Sequence, residues 1–201
     1  MQVAVKCLRI TKVNKRELTK FKAELIIMCP LHHPNLVKLY GGIWNEGADN
    51  LCIVLEFCPH GSLKTYLGAE FKNVDEKLIQ TKAANTGTWK ELRHGLALGV
   101  AKCLSYLHHD LNETLIHRDM KPDNVLVGED IVAKVADFGE SRHFDTKHAK
   151  EEADDDGDDA LSMTMVGTKL YCAPEIMMRQ RYNESAVSNI SNVISVFMLM
   201  T

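Results

Sequence analysis

His117-Arg118-Asp119-Met120-Lys121-Pro122-Asp123-Asn124 is the stretch on which the reading of this 201-residue chain turns. It gathers two bases, two acids, a carboxamide and an imidazole within eight positions, and its proline argues against an uninterrupted helix. Directly downstream, Val125 to Val127 and Val132 to Val135 flank Gly128-Glu129-Asp130, the pattern of a compact β-hairpin. Thirteen residues after Asn124 comes Asp137-Phe138-Gly139, and Ala173-Pro174-Glu175 follows further on. The polar stretch is therefore a loop at the foot of a hairpin, and Asp137 returns on the hairpin's far side.

Upstream, Val3 to Leu8 reads as a strand. Asn14 to Met28 carries Leu18, Phe21, Leu25 and Met28 at helical spacing, and Pro30 with His33-Pro34-Asn35 ends that helix. Val37 to Tyr40 and Leu51 to Phe57 are expected strands around a glycine-containing turn. Ser62 to Leu67 is an expected short helix, and Leu92, Leu96, Val100, Leu104 and Leu107 form the buried stripe of a longer one. Strands first and helices later imply an α+β arrangement in two lobes. The expected division is a sheet-bearing part over 1–58, a helical part over 59–186 and an apolar tail over 187–201.

Composition narrows the function. Hydrophobic residues at 45% and charged residues at 25% fit a globular chain rather than a disordered one. Twenty-four Lys and Arg against 27 Asp and Glu give a net charge of −3, which offers no global reason to bind nucleic acid. No apolar run approaches the roughly 20 residues of a membrane span. Six scattered cysteines without a Cys-x-x-Cys pair argue against a zinc ribbon or a disulfide framework, so reduced thiols and a cytoplasmic setting are expected. Seven acids crowd into residues 151 to 159, the pattern of a solvated loop.

Taken together, the His-Arg-Asp-x-Lys-x-x-Asn loop, Asp137-Phe138-Gly139 and Ala173-Pro174-Glu175 resemble the eukaryotic protein kinase family, and nearly the whole chain follows that resemblance. A bilobal fold and transfer of the ATP γ-phosphoryl group to a protein hydroxyl are what it implies. On this match Asp119 receives or orients the substrate hydroxyl proton, Lys121 lies by the transferred group, and Asn124 and Asp137 hold Mg²⁺. Val3-Ala4-Val5-Lys6 resembles the strand whose lysine contacts the α- and β-phosphates, and Glu24, eighteen residues on, matches that lysine's acidic partner. Leu51 to Cys58 resembles the strand and hinge behind the adenine. Leu55 is then the gatekeeper, backbone groups of Glu56 and Cys58 bond the purine, and Ala4 and Leu126 sandwich it. Met28, His117 and Phe138 match a stacked apolar column between the lobes. Taken singly, Asp119 is equally a loop carboxylate, Asn124 a turn former, Lys6 a strand lysine and Glu24 a helix-surface acid.

Lys121, with Gly167-Thr168, matches the serine/threonine type, and His33-Pro34-Asn35 with Glu56 to Leu63 resembles the tyrosine-kinase-like branch. Ser162 and Thr164 are placed where a phosphate would pair with Arg118, and Thr168 where it would touch Asp119 and Lys121. The acidic block lies in the same segment, either as a competitor with a phosphate for Arg118 and the basic helix of residues 12 to 22 or as an insertion without a role. The pattern departs from the family at both edges. No glycine-rich loop precedes Val3, since the first glycine is Gly41, and Val187 to Ile194 lacks the family's helix aspartate. The expectation is a chain cut at both ends, with little phosphotransfer of its own. It would be part of a serine/threonine kinase, an inactive kinase-like module that binds a nucleotide or partner, or a product that does not fold alone.

Overall fold

The computed structural model describes residues 1–9, 15–43, 50–72 and 89–144. Three strands, β1 (Val3–Arg9), β2 (Leu39–Ile43) and β3 (Asn50–Glu56), form an antiparallel sheet in the order β1-β3-β2. Helix α1 (Lys15–Met28) packs on it because Phe21 and its half-buried neighbours Leu18 and Leu25 meet Leu51 and Ile53. Close approach is possible at Gly42, where an added Cβ would stand 2.8 Å from Leu25 Cδ1. Glu24 shares the inward face with Phe21 and Met28 one helical turn to either side, and is itself buried.

The strand expected over Val37 to Tyr40 is displaced. Val37 donates its N–H to Val135 O at 2.9 Å instead, and the sheet strand runs from Leu39 through Gly41 and Gly42 to Ile43. Two glycines are poor strand formers, but pairing with β3 overrides that preference, with a register shift between Leu39 and Gly41.

Helix α2 (Leu63–Lys72) runs five residues past the expected Leu67. Ser62 caps its start, accepting the Thr65 N–H at 3.2 Å. Helix α3 (Trp89–Ser105) buries Leu96, Val100, Cys103 and Leu104, and a π-helical turn over Tyr106–Asp110 continues it and buries Leu107. That turn sets the Tyr106 hydroxyl to accept the His32 N–H at 3.0 Å, and its ring stacks on His33.

Four short strands complete the described chain: β4 (Thr114–Ile116), β5 (Val125–Val127), β6 (Ala133–Val135) and β7 (Arg142–Phe144). β5 pairs with β6 in the expected hairpin, and β4 pairs with β7, which the sequence did not suggest. The loop 117–124 joins β4 to β5 and the segment 136–141 joins β6 to β7. Pairing at both ends therefore lays the two polar segments side by side. The larger core beneath them runs from Met28 and Leu31 through α2 and α3 to Val125, Val127, Val135 and Phe138, so the end of α1 is built into the helical part. Asn35 adds a polar stitch, donating Nδ2–H to Ala133 O at 3.0 Å.

Candidate active site

Lys6 lies on β1 with its ammonium turned toward α1. Its Nζ is 2.8 Å from Glu24 Oε1, 3.1 Å from Glu24 Oε2 and 2.9 Å from Asp137 Oδ1. Three segments far apart in sequence thus meet at one cation. Burial alone would lower the pKa of Lys6, but Glu24 and then Asp137 outweigh it and hold the ammonium above its ordinary value. Burial would likewise raise Asp137, yet the Lys6 charge holds its carboxyl below the usual carboxylate range. Both groups are therefore ionised at neutral pH.

A second cluster forms on the 117–124 loop. Lys121 Nζ donates to Asp119 Oδ2 at 2.6 Å, and Asn124 Nδ2 donates to the same oxygen at 2.9 Å and to Asp119 O at 2.8 Å. The carboxylate is fixed in orientation by one charged and one neutral donor. Asn124 is buried, and its short 3₁₀ turn (Pro122–Asn124) begins at the proline. The clusters are joined through the backbone, where Ala136 N–H donates to Asn124 O at 2.9 Å.

His117 is the post on which both segments rest. Nε2–H donates to Ala136 O at 2.9 Å and Nδ1 accepts the Asp119 N–H at 3.3 Å, a pair of contacts that requires the neutral Nε2–H tautomer. Burial pushes its pKa down, in agreement with that tautomer. Its ring meets Phe138 edge to face with centroids 5.0 Å apart, and its carbonyl accepts the Ser141 hydroxyl at 3.1 Å. Arg118 and Asp137 have φ of 68° and 65°, left-handed backbone that non-glycine residues seldom adopt. Such strain concentrates where the surrounding structure dictates a side chain's aim.

At the sheet's other end Ala4 stands opposite Leu55 in the β1–β3 ladder. Cys58 is buried with Val37 and Ala136, and Leu55 and Leu126 pack against them. Glu56 donates its N–H to Lys38 O at 2.9 Å, while its carboxylate meets Lys134 at 2.8 Å and accepts the Lys38 N–H at 3.1 Å. The structure thus brings together Ala4, Leu55, Cys58 and Leu126 at one end, and Lys6, Glu24, Asp137, Asp119, Lys121 and Asn124 along the seam. Ser162, Thr164, Thr168, the acidic block, Ala173-Pro174-Glu175 and the apolar tail lie outside the described residues.

Sequence reasoning missed Lys134 and Lys38 as anchors of Glu56, and Lys20, which reaches Glu140 beyond Asp137 at 2.8 Å. No motif marks them, because each contact exists only after folding. The donor set suits a hard divalent cation. Both Asn124 contacts to Asp119 use Nδ2, which assigns the amide oxygen to a different direction, and Asp137 adds a half-exposed carboxylate whose charge Lys6 sustains.

Comparison with known proteins agrees with this geometry. Residues 1–201 match the protein kinase domain. Cysteine-rich receptor-like protein kinase 26 of Arabidopsis thaliana is 36% identical over 182 residues, 90% of this chain and 24% of that protein. LEAF RUST 10 disease-resistance locus receptor-like protein kinase-like 2.4 of the same plant is 36% identical over 199 residues, 98% of this chain and 27% of its own length. A leucine-rich repeat receptor-like serine/threonine-protein kinase, also from Arabidopsis thaliana, is 32% identical over 185 residues, 92% of this chain and 18% of that protein. The chain spans about a quarter or less of the length of the first relatives. Among the described residues no helix is long and apolar enough to cross a membrane. With the family match over its full length, and Lys6, Glu24 and Asp137 converging as above, the chain belongs to the protein kinase domain family.

Proposed function

We propose that this chain is catalytic sequence of a serine/threonine protein kinase that transfers the γ-phosphoryl group of ATP to a protein hydroxyl. The observation that supports it most is the convergence of Lys6, Glu24 and Asp137 beside the Asp119, Lys121 and Asn124 cluster, joined by one backbone hydrogen bond. Phosphoryl transfer asks for positioning and charge neutralisation more than covalent help, and these residues offer both. When bound, Mg²⁺ and ATP supply the neutralising charge and the group to be moved. Asn124 Oδ1 and the Asp137 carboxylate would hold the metal.

Lys6, held in place by Glu24, would meet the α- and β-phosphates. Asp119 would accept the proton of the incoming hydroxyl, its carboxylate already aimed by Lys121 and Asn124. Lys121 would then screen the negative charge that grows on the transferred group. Because the Glu56 N–H is taken by Lys38, the purine edge would be met by the Glu56 carbonyl and the Cys58 N–H, with Ala4 and Leu126 above and below and Leu55 behind.

Lys121 and Gly167-Thr168 support the serine/threonine class, and so does the name of the leucine-rich repeat relative. The receptor-like names of the relatives, and the share of them that is matched, support a longer signalling protein whose kinase part works where ATP is abundant, on the cytoplasmic side. Phosphate on Ser162 or Thr164 would pair with Arg118, and Thr168 would touch Asp119 and Lys121. The test is Mg²⁺-dependent transfer of labelled phosphate from ATP to a generic serine/threonine substrate, with the protein extended to the family's full domain. Transfer that disappears in Asp119→Asn is expected. Nucleotide binding without transfer would instead favour an inactive binding module.

A further inference from the structure

Cys7 on β1 and Cys52 on β3 stand directly opposite each other in the antiparallel ladder, with their sulfur atoms 2.9 Å apart. Both are free thiols; Cys7 is exposed and Cys52 is buried. Directly opposed residues on an antiparallel pair have Cα atoms about 4.5–5.5 Å apart. That interval lies inside the roughly 4.4–6.8 Å that a disulfide spans. Closing the bond therefore asks for side-chain rotation and no movement of either strand. Side chains alternate along β1, so Cys7 lies with Val5 on the face away from Lys6. A bond there would leave the Lys6 contacts with Glu24 and Asp137 untouched.

We infer that Cys7 and Cys52 form a reversible oxidation site, closing to a cross-strand disulfide in the presence of a peroxide. The exposed Cys7 sulfur, as thiolate, attacks one peroxide oxygen; the O–O bond breaks, Cys7 becomes a sulfenic acid and the released hydroxide is protonated to water. The Cys52 sulfur then attacks the Cys7 sulfur, the S–O bond breaks, and the Cys52 proton leaves with the hydroxyl as a second water. Two thiols and one peroxide thus give one disulfide and two waters, with two electrons passed to the oxidant. Cys7 is exposed and Cys52 buried, which suits Cys7 as the first nucleophile and Cys52 as the resolving partner. The product ties the strand that carries Lys6 to the strand that leads into Glu56. A thiol donor reverses it, as expected of a regulatory bond in a reducing compartment.

The experiment treats the protein, extended to the family's full domain, with hydrogen peroxide, blocks remaining thiols by alkylation, and maps the unreduced digest by mass spectrometry. A linked pair of peptides holding Cys7 and Cys52, lighter by two hydrogens and restored by dithiothreitol, is expected. Cys29, exposed but elsewhere, serves as the internal control and should not enter the linkage. Cys7→Ser should abolish the linked species, and the same treatment in denaturant should scatter linkages among the six cysteines. Over-oxidation of Cys7 with Cys52 still a thiol overturns the inference. So does a native linkage pattern no different from the denatured one.

Discussion

Lys6 Nζ lies 2.8 Å from Glu24 Oε1, which is buried, and 2.9 Å from Asp137 Oδ1, which is half exposed, so one ammonium spans the sheet, the helix and the segment after the hairpin. Replacing Lys6 by Met removes the charge on which both carboxylates depend. The expected loss is about 10²–10³-fold in kcat of the extended protein. Glu24→Gln keeps the shape and leaves Lys6 to Asp137, so the loss should be smaller. Steady-state phosphate transfer from labelled ATP measures both, and equal effects of the two changes would contradict the arrangement.

Asp119→Asn tests the second cluster. Lys121 can still donate to the new amide oxygen, so the loop should keep its shape while losing the carboxylate proposed as proton acceptor. A fall of about 10²–10⁴-fold in transfer is expected. Nucleotide affinity, read by calorimetry, should barely change. A parallel collapse in affinity would point to loop misfolding instead.

His117 makes stability depend on pH. Its folded pKa is held below the ordinary 6.5, so the unfolded chain takes up a proton more readily than the folded one. The stabilisation is complete above about pH 6.5 and drains away as the pH falls toward the folded pKa. His33 and His108, also lowered by burial, act in the same direction. Urea midpoints should be lower near about pH 5.5 than near about pH 7.5, and His117→Gln should narrow the gap. A midpoint that stays level in the parent protein would remove this account.

Gly99 shows how tightly α3 approaches the 33–35 turn. A Cβ there would stand 2.7 Å from Asn35 Nδ2 and 3.3 Å from Ala133 Cβ. Gly99→Ala therefore displaces Asn35 from its bond to Ala133 O, and should destabilise by about 1–3 kcal/mol in spite of alanine's better helix propensity. Thermal unfolding of the two proteins side by side decides the sign.

Thiol reactivity should divide by depth. Burial pushes Cys58 up to about 11, with Glu56 adding to it, and pushes Cys103 up to about 12. Alkylation near about pH 8 should spare both in the folded chain while modifying exposed Cys29. Fast labelling of Cys103 in the native state would mean that the packing of α3 opens readily.

Much of this was legible in the linear chain. The apolar spacing of Leu18, Phe21, Leu25 and Met28 announced α1, and the Gly128-Glu129-Asp130 turn announced the β5–β6 hairpin, because helix and hairpin patterns are local. Val37 and Gly41 were misjudged for the opposite reason. Their conformations come from Val135 and β3, partners 98 and 13 positions away, where propensity carries no information about pairing. Helix α2 continued through Gly68 for lack of any local stop strong enough to end it.

The sequence by itself determined which chemistry is present: a lysine, a buried-face glutamate, two aspartates, an asparagine and a second lysine in a recognisable order. Only the tertiary structure decided which of them meet. Pairing of β4 with β7 and of β5 with β6 lays the 117–124 loop against the 136–141 segment, and His117 locks the two together through Ala136 O and the Asp119 N–H. The physical reason is that side-chain identity is local, whereas a shared charge between Lys6, Glu24 and Asp137 requires three separate backbones brought within hydrogen-bond distance by packing.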